Sequence, residues 1–366
     1  MPEGINSIKG QIMRPGQPGR TSRLKAVPFL AAILLPLLPP PAAHAASDYS
    51  DKDFAVRLPP AFLRFTEVAT MGGETVANRM SSAINPASTA WLKLPGDMGV
   101  VLAPYYSPVM FDNGTNMHVI GESATVSAGW FGVVQPTISQ IRTNKATMNN
   151  GRTFEYSVDS YQIQWGKKLD NFAVGAMFNY ANAEVLQTAA GGFDAKGLSD
   201  SYRWRFGGLW EPCEKWLIGA IIEYGFQPYR SKTVVPLPPP FAPAMMTIRD
   251  DGVQHQVVFR PGVSYEYSPM SSVFLDYQLG YFHNPEDALY DHHFTFGIDH
   301  RLLEFLFVRG NVGIDTRGNA SIGGGVSIFP ASWCSLDVGY KYDALPELHP
   351  EFGRSHTIQV AFNVRF

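Results

Sequence analysis

Residues 216–226 read Trp-Leu-Ile-Gly-Ala-Ile-Ile-Glu-Tyr-Gly-Phe. Taken alternately, Trp216, Ile218, Ala220, Ile222, Tyr224 and Phe226 share one face, while Gly219, Glu223 and, just beyond, Gln227 share the other. A repeat of two residues puts successive side chains on opposite faces of an extended chain, so this stretch is a strand with one apolar face. The alternation continues on both sides of it. Upstream, Val174, Ala176, Phe178 and Tyr180 oppose Ala173, Gly175, Met177 and Asn179, and Tyr202, Trp204, Phe206 and Trp210 oppose Ser201, Arg203, Arg205 and Gly207. Downstream it passes through Val257 and Phe259, Leu275 and Tyr277, Phe294 and Phe296, Val312 and Ile314, and Val338 and Tyr340, to Ile358, Val360, Phe362, Val364 and Phe366.

Many strands with one apolar face each make either a soluble sandwich or a membrane β-barrel. Three features favour the barrel. The polar faces are heavily charged, carrying Glu155, Asp159, Arg203, Arg205, Glu223, Arg260, Asp276, Asp299, Arg309, Asp337 and Lys341. The apolar faces carry Tyr, Trp and Phe near the strand ends, as the two girdles of a membrane barrel require. Short connections, near 168–170, 211–215, 268–271, 303–304 and 330–333, alternate with long ones at 187–198, 229–252, 284–290 and 344–355. An odd number of strands is countable from residue 98 onward, whereas single-chain bacterial barrels have even numbers. The expectation is an all-β transmembrane antiparallel barrel of about fourteen strands, with one strand unrecognised around 115–122. About twelve is the alternative, with 98–110 an inner segment.

Composition agrees. Of 366 residues, 45% are hydrophobic, 13% aromatic and only 17% charged, with 34 Gly and 16 Tyr. Soluble domains carry roughly 25% charged residues, so this chain is charge-poor and aromatic-rich. A formal net charge of -3 offers nothing to a nucleic acid, and none is expected as a partner. The mean hydropathy of -0.08 is too low for a polytopic helical membrane protein. Two cysteines exclude a disulfide scaffold. Cys213 and Cys334 fall in short turns far apart in strand order, beyond the roughly 7 Å that a bridge spans.

The first 25 residues carry Lys9, Arg14, Arg20, Arg23 and Lys25 against Glu3 alone, followed by an apolar run from Ala26 to Leu38 and then Ala43-His44-Ala45. A basic region, a short apolar core and an A-x-A site read as a signal peptide, 1–45, cut after Ala45. The core is too short for a membrane helix, which needs about 20 residues. At the other end, residues 356–366 alternate without a break and finish on Phe366. This resembles the last strand by which the bacterial outer-membrane assembly machinery takes up its substrates, so Phe366 is expected to be an assembly signal and that machinery a partner. The outer membrane, and its lipid bilayer, is the expected location.

Residues 46–97 do not alternate. They hold Met71-Gly72-Gly73 and then Asn85-Pro86-Ala87-Ser88-Thr89-Ala90. Asn-Pro suits a turn, and paired glycines allow close backbone packing. These residues resemble the N-terminal hatch of the FadL-like outer-membrane transporters of long-chain fatty acids and hydrocarbons, a family related to the outer-membrane barrels of type IX secretion. Ser88 stands where that motif usually has Gly. The resemblance implies a hatch at 46–97 marked by Gly72, Gly73, Asn85, Pro86 and Ala87, and a barrel of fourteen strands at 98–366. It also implies passive uptake of small hydrophobic molecules, a hydrophobic ligand as partner and no cofactor. A structural or partner-binding barrel, such as a secretion accessory protein, is the alternative.

Candidate substrate contacts are few. The link 229–252 holds Val234, Val235, five prolines, Phe241, Met245 and Met246, and an apolar stretch displayed to water needs a reason. Phe241, Met245 and Met246 are therefore candidate capture residues. Arg203 and Arg205, two apart on one face, are candidates for a carboxylate head group, against the plainer expectation that they pair with Glu223 and Asp276. His283, Glu286, Asp287, Asp291, His292 and His293 lack metal-ligand spacing and read as solvated loop residues, so no metal is expected. No nucleophile elbow, P-loop, dinucleotide fingerprint or His-Glu-x-x-His string occurs, and no enzyme is expected.

Overall fold

The computed structural model describes residues 49–68, 75–79, 83–92, 94, 99–190, 192–236 and 245–366. The signal segment with Ala45, the pair Gly72 and Gly73, and Phe241 lie outside the described residues. Fourteen long strands form one sheet. They are β1 (Val100–Phe111), β2 (Asn116–Ser127), β3 (Val133–Thr143), β4 (Thr153–Leu169), β5 (Phe172–Ala189), β6 (Phe193–Cys213) and β7 (Trp216–Pro236). The second half comprises β8 (Met245–Ser268), β9 (Ser271–His283), β10 (Ala288–Leu303), β11 (Leu306–Asp315), β12 (Ala320–Ala331), β13 (Cys334–Tyr342) and β14 (Ser355–Arg365). A two-residue piece, Ala146–Thr147, continues the edge of β3 against Phe154 and Thr153 of β4. Each strand pairs antiparallel with the next, and β1 pairs with β14 from Val101 opposite Arg365 to Phe111 opposite Ser355. The sheet therefore closes into a barrel.

Closure answers the parity question. β2 is the strand missing around 115–122, and residues 98–110 belong to the wall as β1 rather than to an inner segment. Among the described residues no helix is long and apolar enough to cross a membrane. The strands do the crossing.

The outer face is a lipid face. Trp165, Ala176, Phe206, Ile222 and Phe259 lie side by side across β4–β8, and Phe206 and Ile222 are more than half exposed. A row above them, Tyr161, Tyr180, Tyr202 and Phe226 are likewise opposed in sequence across four strands, with Tyr202 5.1 Å from Phe226. Elsewhere the girdles use a device that composition does not reveal. Tyr106, Tyr224, Tyr267, Tyr277 and Tyr340 each hydrogen bond across the ladder to Nδ1 of a histidine, respectively His118, His255, His300, His292 and His356, at 2.7–3.2 Å. Each rung satisfies two polar groups at the depth where lipid meets water.

Two of the expected long links are mostly strand. β5 and β6 continue through 187–198, leaving only 190–192 between them, and β7 and β8 continue through 229–252, leaving 237–244. Strands β6 and β7 run 21 residues and β8 runs 24, whereas a tilted strand crosses lipid in about 9–11. The excess stands above the membrane as a projecting wall. There both faces meet water, which is why Glu155 and Asp159, expected on the lumen side, face outward above the tyrosine row. Alternation reports the pleat; it does not distinguish lipid from water on the far side.

Phe206 sits midway between Trp210 and Tyr202 on the lipid face. Phe206→Arg should lower the free energy of unfolding in lipid by about 2–4 kcal/mol, read by reversible denaturant titration in bilayers. Leu198→Arg, on the same face of β6 but above the tyrosine row, should cost little.

Candidate functional site

The inner wall is recessed along one track. Gly166, Gly175 and Gly207 are directly paired across β4, β5 and β6, and Gly219 and Gly262 across β7 and β8. Against this track lie residues 76–90. A Cβ on Gly166 would stand 2.8 Å from Pro86 O, and one on Gly175 would collide with the backbone of Pro86 and Ala87. Cβ atoms on Gly207 and Gly219 would strike Asn85 and Val76. At 166, 175 and 219 another backbone passes too close for any side chain, and at 207 and 262 the side chains of Asn85, Asp276 and Val76 fill the space.

The Asn-Pro-Ala string forms the seat. Asn85 caps a short 3-10 helix, Pro86–Trp91, its side-chain oxygen accepting from Ala87 N at 3.0 Å with Pro86 at the first helical position. Its amide donates to Val76 O at 2.8 Å and Gly208 O at 3.1 Å, tying segment to wall. Ser88 is tolerated in place of Gly because the backbone there is a right-handed 3-10 turn. Buried charges complete the attachment. Arg205 donates to Glu223 at 2.7 Å and to Ile84 O at 2.8 Å. Asp276 accepts from Thr75 Oγ1, Val76 N and Arg260 Nε at 2.6, 2.8 and 3.1 Å. Arg79 bridges Glu211 and Glu266 at 2.7 and 2.9 Å and stacks on Trp91.

A helix, α1 (Phe54–Val68), occupies the end of the lumen away from the short turns. Its apolar side places Phe54, Leu58 and Ala61 in a cluster with Phe111, Met117, Phe154, Leu348 and Phe352. Its other side is ionic. Arg57 makes a bidentate pair with Glu351 at 2.6 and 2.5 Å and donates to Glu347 O. Arg64 pairs with Asp291 at 3.0 Å and Glu347 at 3.4 Å. Pro59 inside the helix has no N–H for the carbonyl of Ala55, and Gln254 of the wall donates to that carbonyl at 3.0 Å instead. These contacts fasten α1 to the wall at Gln254 and Asp291 and to the connection 343–354, which contains the short helix α2 (His349–Phe352).

Toward the short turns the lumen opens into a cavity of about 1270 Å³. Its apolar lining includes Ala77, Ala90, Trp91, Leu92 and Leu217; its polar lining includes Ser123, Thr125, Gln135, Thr137 and Ser139. Arg203 and Arg205 line it as well, but the chain's own groups engage them. Arg203 donates to Asn179 Oδ1 at 2.8 Å and lies 3.8 Å from Glu223, so the pairing with Glu223 holds, while Asp276 pairs with Arg260 instead.

Met245 and Met246 do not act together. They are consecutive in β8, so their side chains take opposite faces, and only Met246 shares the inner face with Ile248, Val235 and Phe193. Met245 lies against Gly192 at the neighbouring hairpin tip. Nor is 283–293 a solvated loop. Asp291 and His293 face inward, Asp291 fully buried against Arg64, and His292 faces outward against Tyr277, because β9 and β10 run on and leave only 284–287 as loop. Among the described residues no three His, Cys, Asp or Glu side chains are grouped to hold a metal. Both cysteines are free. What sequence reading missed were the glycine track and the α1 latch; only the track left a signal, as an inward glycine on each of five successive strands.

Gly175→Val should prevent residues 76–90 from seating, and protease cleavage between 75 and 92 in the assembled barrel should rise at least tenfold over wild type. Burial pushes the Glu347 carboxyl up to about 7, against the opposing pull of Arg64. A group raised in the folded state contributes stability at low pH that is lost as pH climbs through the folded value. The connection 343–354 should therefore loosen between about pH 4.5 and 7, facing as it does Arg64, Arg57, Tyr49, Asp291 and His349. Amide exchange in 343–354, expressed relative to Glu347→Gln at each pH, should rise across that window.

No protein-family model matches the chain, and no curated protein sequence does either. Solved structures do. The CymD monoaromatic hydrocarbon channel superposes with a TM-score of 0.55 at 13% identity, over 81% of this chain and 96% of that one. A deletion mutant of the TodX monoaromatic hydrocarbon channel gives 0.52 at 10% identity, over 82% and 97%. At such identities the likeness is one of fold. The chain folds as a FadL-like outer-membrane β-barrel, closed by fourteen strands, with residues of its N-terminal segment lodged against the inner wall.

Proposed function

We propose that this barrel passes small hydrophobic molecules across the outer membrane without an energy source, with residues 46–97 as its hatch and 1–45 as its export signal. The observation that carries this reading is the apolar interior. A water-filled porin lumen is polar, whereas here Val109, Met117, Ile141, Phe154, Val158 and Phe352 form a buried apolar cluster on the inner side of β1–β5. Above it, Val235 opposes Met246 and Thr233 opposes Ile248 on the inner face of the projecting wall, with Met246 and Ile248 nearly half exposed. Phe193 joins them on β6, under the Arg152 guanidinium. An apolar solute meets a graded surface: the exposed patch, the cluster around α1, then the mixed cavity. The fold shared with the hydrocarbon channels supports the same reading. The assignment is to a channel, not an enzyme. Phe366, whose backbone pairs on both sides with Val100, is proposed as the assembly signal.

One observation favours the second reading, a structural or partner-binding barrel: α1 lies in the outer end of the lumen and is held there by three ion pairs, Arg57–Glu351, Arg64–Asp291 and Arg64–Glu347. Uptake decides between them. Full burial of one apolar side chain is worth roughly 1.5–3 kcal/mol, so replacing Phe193, Met246 and Ile248 together with Ser should reduce uptake of a monoaromatic hydrocarbon at micromolar supply at least tenfold, with barrel assembly unchanged. Uptake by wild-type cells no faster than by barrel-free cells would select the partner-binding reading.

A further inference from the structure

Within the lipid every strand of the barrel has a neighbour on both sides, but the projecting wall leaves one edge bare. β9 ends at His283, whose partner on β8 is His255. That histidine belongs to the Tyr224 rung, so the ladder between β8 and β9 stops where the lipid does. From Gln254 up to Met245, β8 is paired with β7 on one side and, among the described residues, with no strand on the other. At about 3.4 Å per residue this edge is roughly 30 Å long. The opposite flank of the wall is covered, because β4 follows β5 as far as Thr153 opposite Thr188, next to the end of β5.

The register says which groups the edge presents. Glu266 N donates to Lys215 O at 2.7 Å, and β7 and β8 pair without a bulge from Trp216 opposite Tyr265 to Pro236 opposite Met245. In an antiparallel ladder successive residues turn their N–H and C=O groups to opposite sides. The even-numbered residues of β8 therefore bond to β7, and Thr247, Arg249, Asp251 and Val253 turn theirs to the bare side. Such a row is a template for another strand.

The two faces of the edge differ in charge. Met246, Ile248, Asp250 and Gly252 share the inner face, and Ser231 lies opposite Asp250. The Tyr229 ring reaches across Gly252, where a Cβ would meet its hydroxyl at 2.5 Å, so an added side chain in that row would touch the ring. Burial and the carboxylates of Asp250, Glu286 and Asp251 push the Tyr229 phenol up to about 12, which places Glu286, in the loop at the foot of the edge, beside the same row. Lys52, at that loop, is paired with Asp287 at 3.1 Å. On the outer face Arg249 lies opposite Lys232, and Asp251 opposite Arg230. At two adjacent residues the edge thus shows acid inward and base outward.

We propose that the bare edge of β8 docks an extended segment of another protein, which adds an antiparallel strand to the wall with apolar residues and a Lys or Arg inward and an Asp or Glu outward. The proposal needs only the wall, and holds for either reading of the barrel. A second copy fits less well. Two barrels in one membrane are related by an axis along its normal, so strands tilted by about 35–45° would cross at about 70–90° instead of aligning.

The probe is a fluorescein-labelled peptide, Thr-Val-Thr-Lys-Glu-Val-Thr-Val, laid antiparallel with its first residue opposite Val253 and its last opposite Met246. Its lysine then falls beside Asp250 and its glutamate beside Arg249. The isomer with Lys and Glu exchanged has the same composition and puts each charge on the wrong face. A one-residue slip would correct the charges only by turning the valines outward. Fluorescence anisotropy with the barrel in lipid nanodiscs, against empty nanodiscs, should show saturable binding of the first peptide, about tenfold tighter than the isomer. Arg249→Glu/Asp250→Arg, at two exposed positions, should reverse the preference and leave the barrel heat-modifiable. N-methylation of the peptide at its third and seventh residues, whose N–H groups meet β8, should abolish binding; at its second and sixth it should not.

Equal binding of the two isomers would overturn the assignment of charge to faces. Equal binding of the two methylated forms would overturn strand addition. Peptide binding replaced by a doubled particle mass would put a second copy on the edge instead. No saturable binding by either isomer would overturn the proposal and leave Arg249, Asp250 and Asp251 as protection of a bare edge. None of these results bears on uptake, which judges the channel separately.

Discussion

A closed sheet standing in lipid must send its apolar residues outward, and the two-residue pleat then sends every other residue inward. Nearly everything else in this protein is a consequence. Lipid offers no hydrogen bonds, so the ladder satisfies the backbone internally, and closure between β1 and β14 removes the last free edges. The inward residues are left to form a second structure inside the first. Their small, charged and apolar members are distributed so that the lumen is packed on one side, fastened in the middle and open at one end.

Fastening the inner segment involves two kinds of complementarity. The glycine track supplies shape: five strands give up their side chains where residues 76–90 pass. Carboxylates and guanidiniums supply direction, because a buried charge without its partner is far more costly than the pair. Asp276, with three donors from two directions, and Arg205, shared between Glu223 and Ile84 O, each join wall to segment. The segment is thereby specified in position and register as strictly as a strand would be.

The α1 region is built differently. Its apolar side packs as a core does, whereas its ionic side is anchored both to the connection 343–354, through Glu347 and Glu351, and to the ladder, through Asp291 of β10. Connections open at lower free energy than ladders do. The fold thus contains a rigidly seated inner segment next to the cavity and a helix whose attachment is shared between the wall and a connection near the outer end.

The sequence by itself determined the wall. Alternation over residues 98–366 specified strands, faces and antiparallel order, because the pleat is a local property and each strand writes its own pattern. The same locality let Asn85-Pro86 be read as a turn. It did not reveal where the membrane ended: Glu155, Asp159 and the long arms of β7 and β8 alternate in water just as they would in lipid. It did not separate Met245 from Met246, whose opposite faces follow from a strand that reads in the sequence as a proline-rich link. Tertiary structure alone decided the interior. Asp291 looks like a loop acid until Arg64, more than two hundred residues away, is seen to lie against it. Tyr105 and Ala361 look unrelated until closure makes β1 and β14 neighbours and sets both on the cavity wall. Both depend on contacts between distant parts of the chain, and such contacts leave no periodic trace in either part.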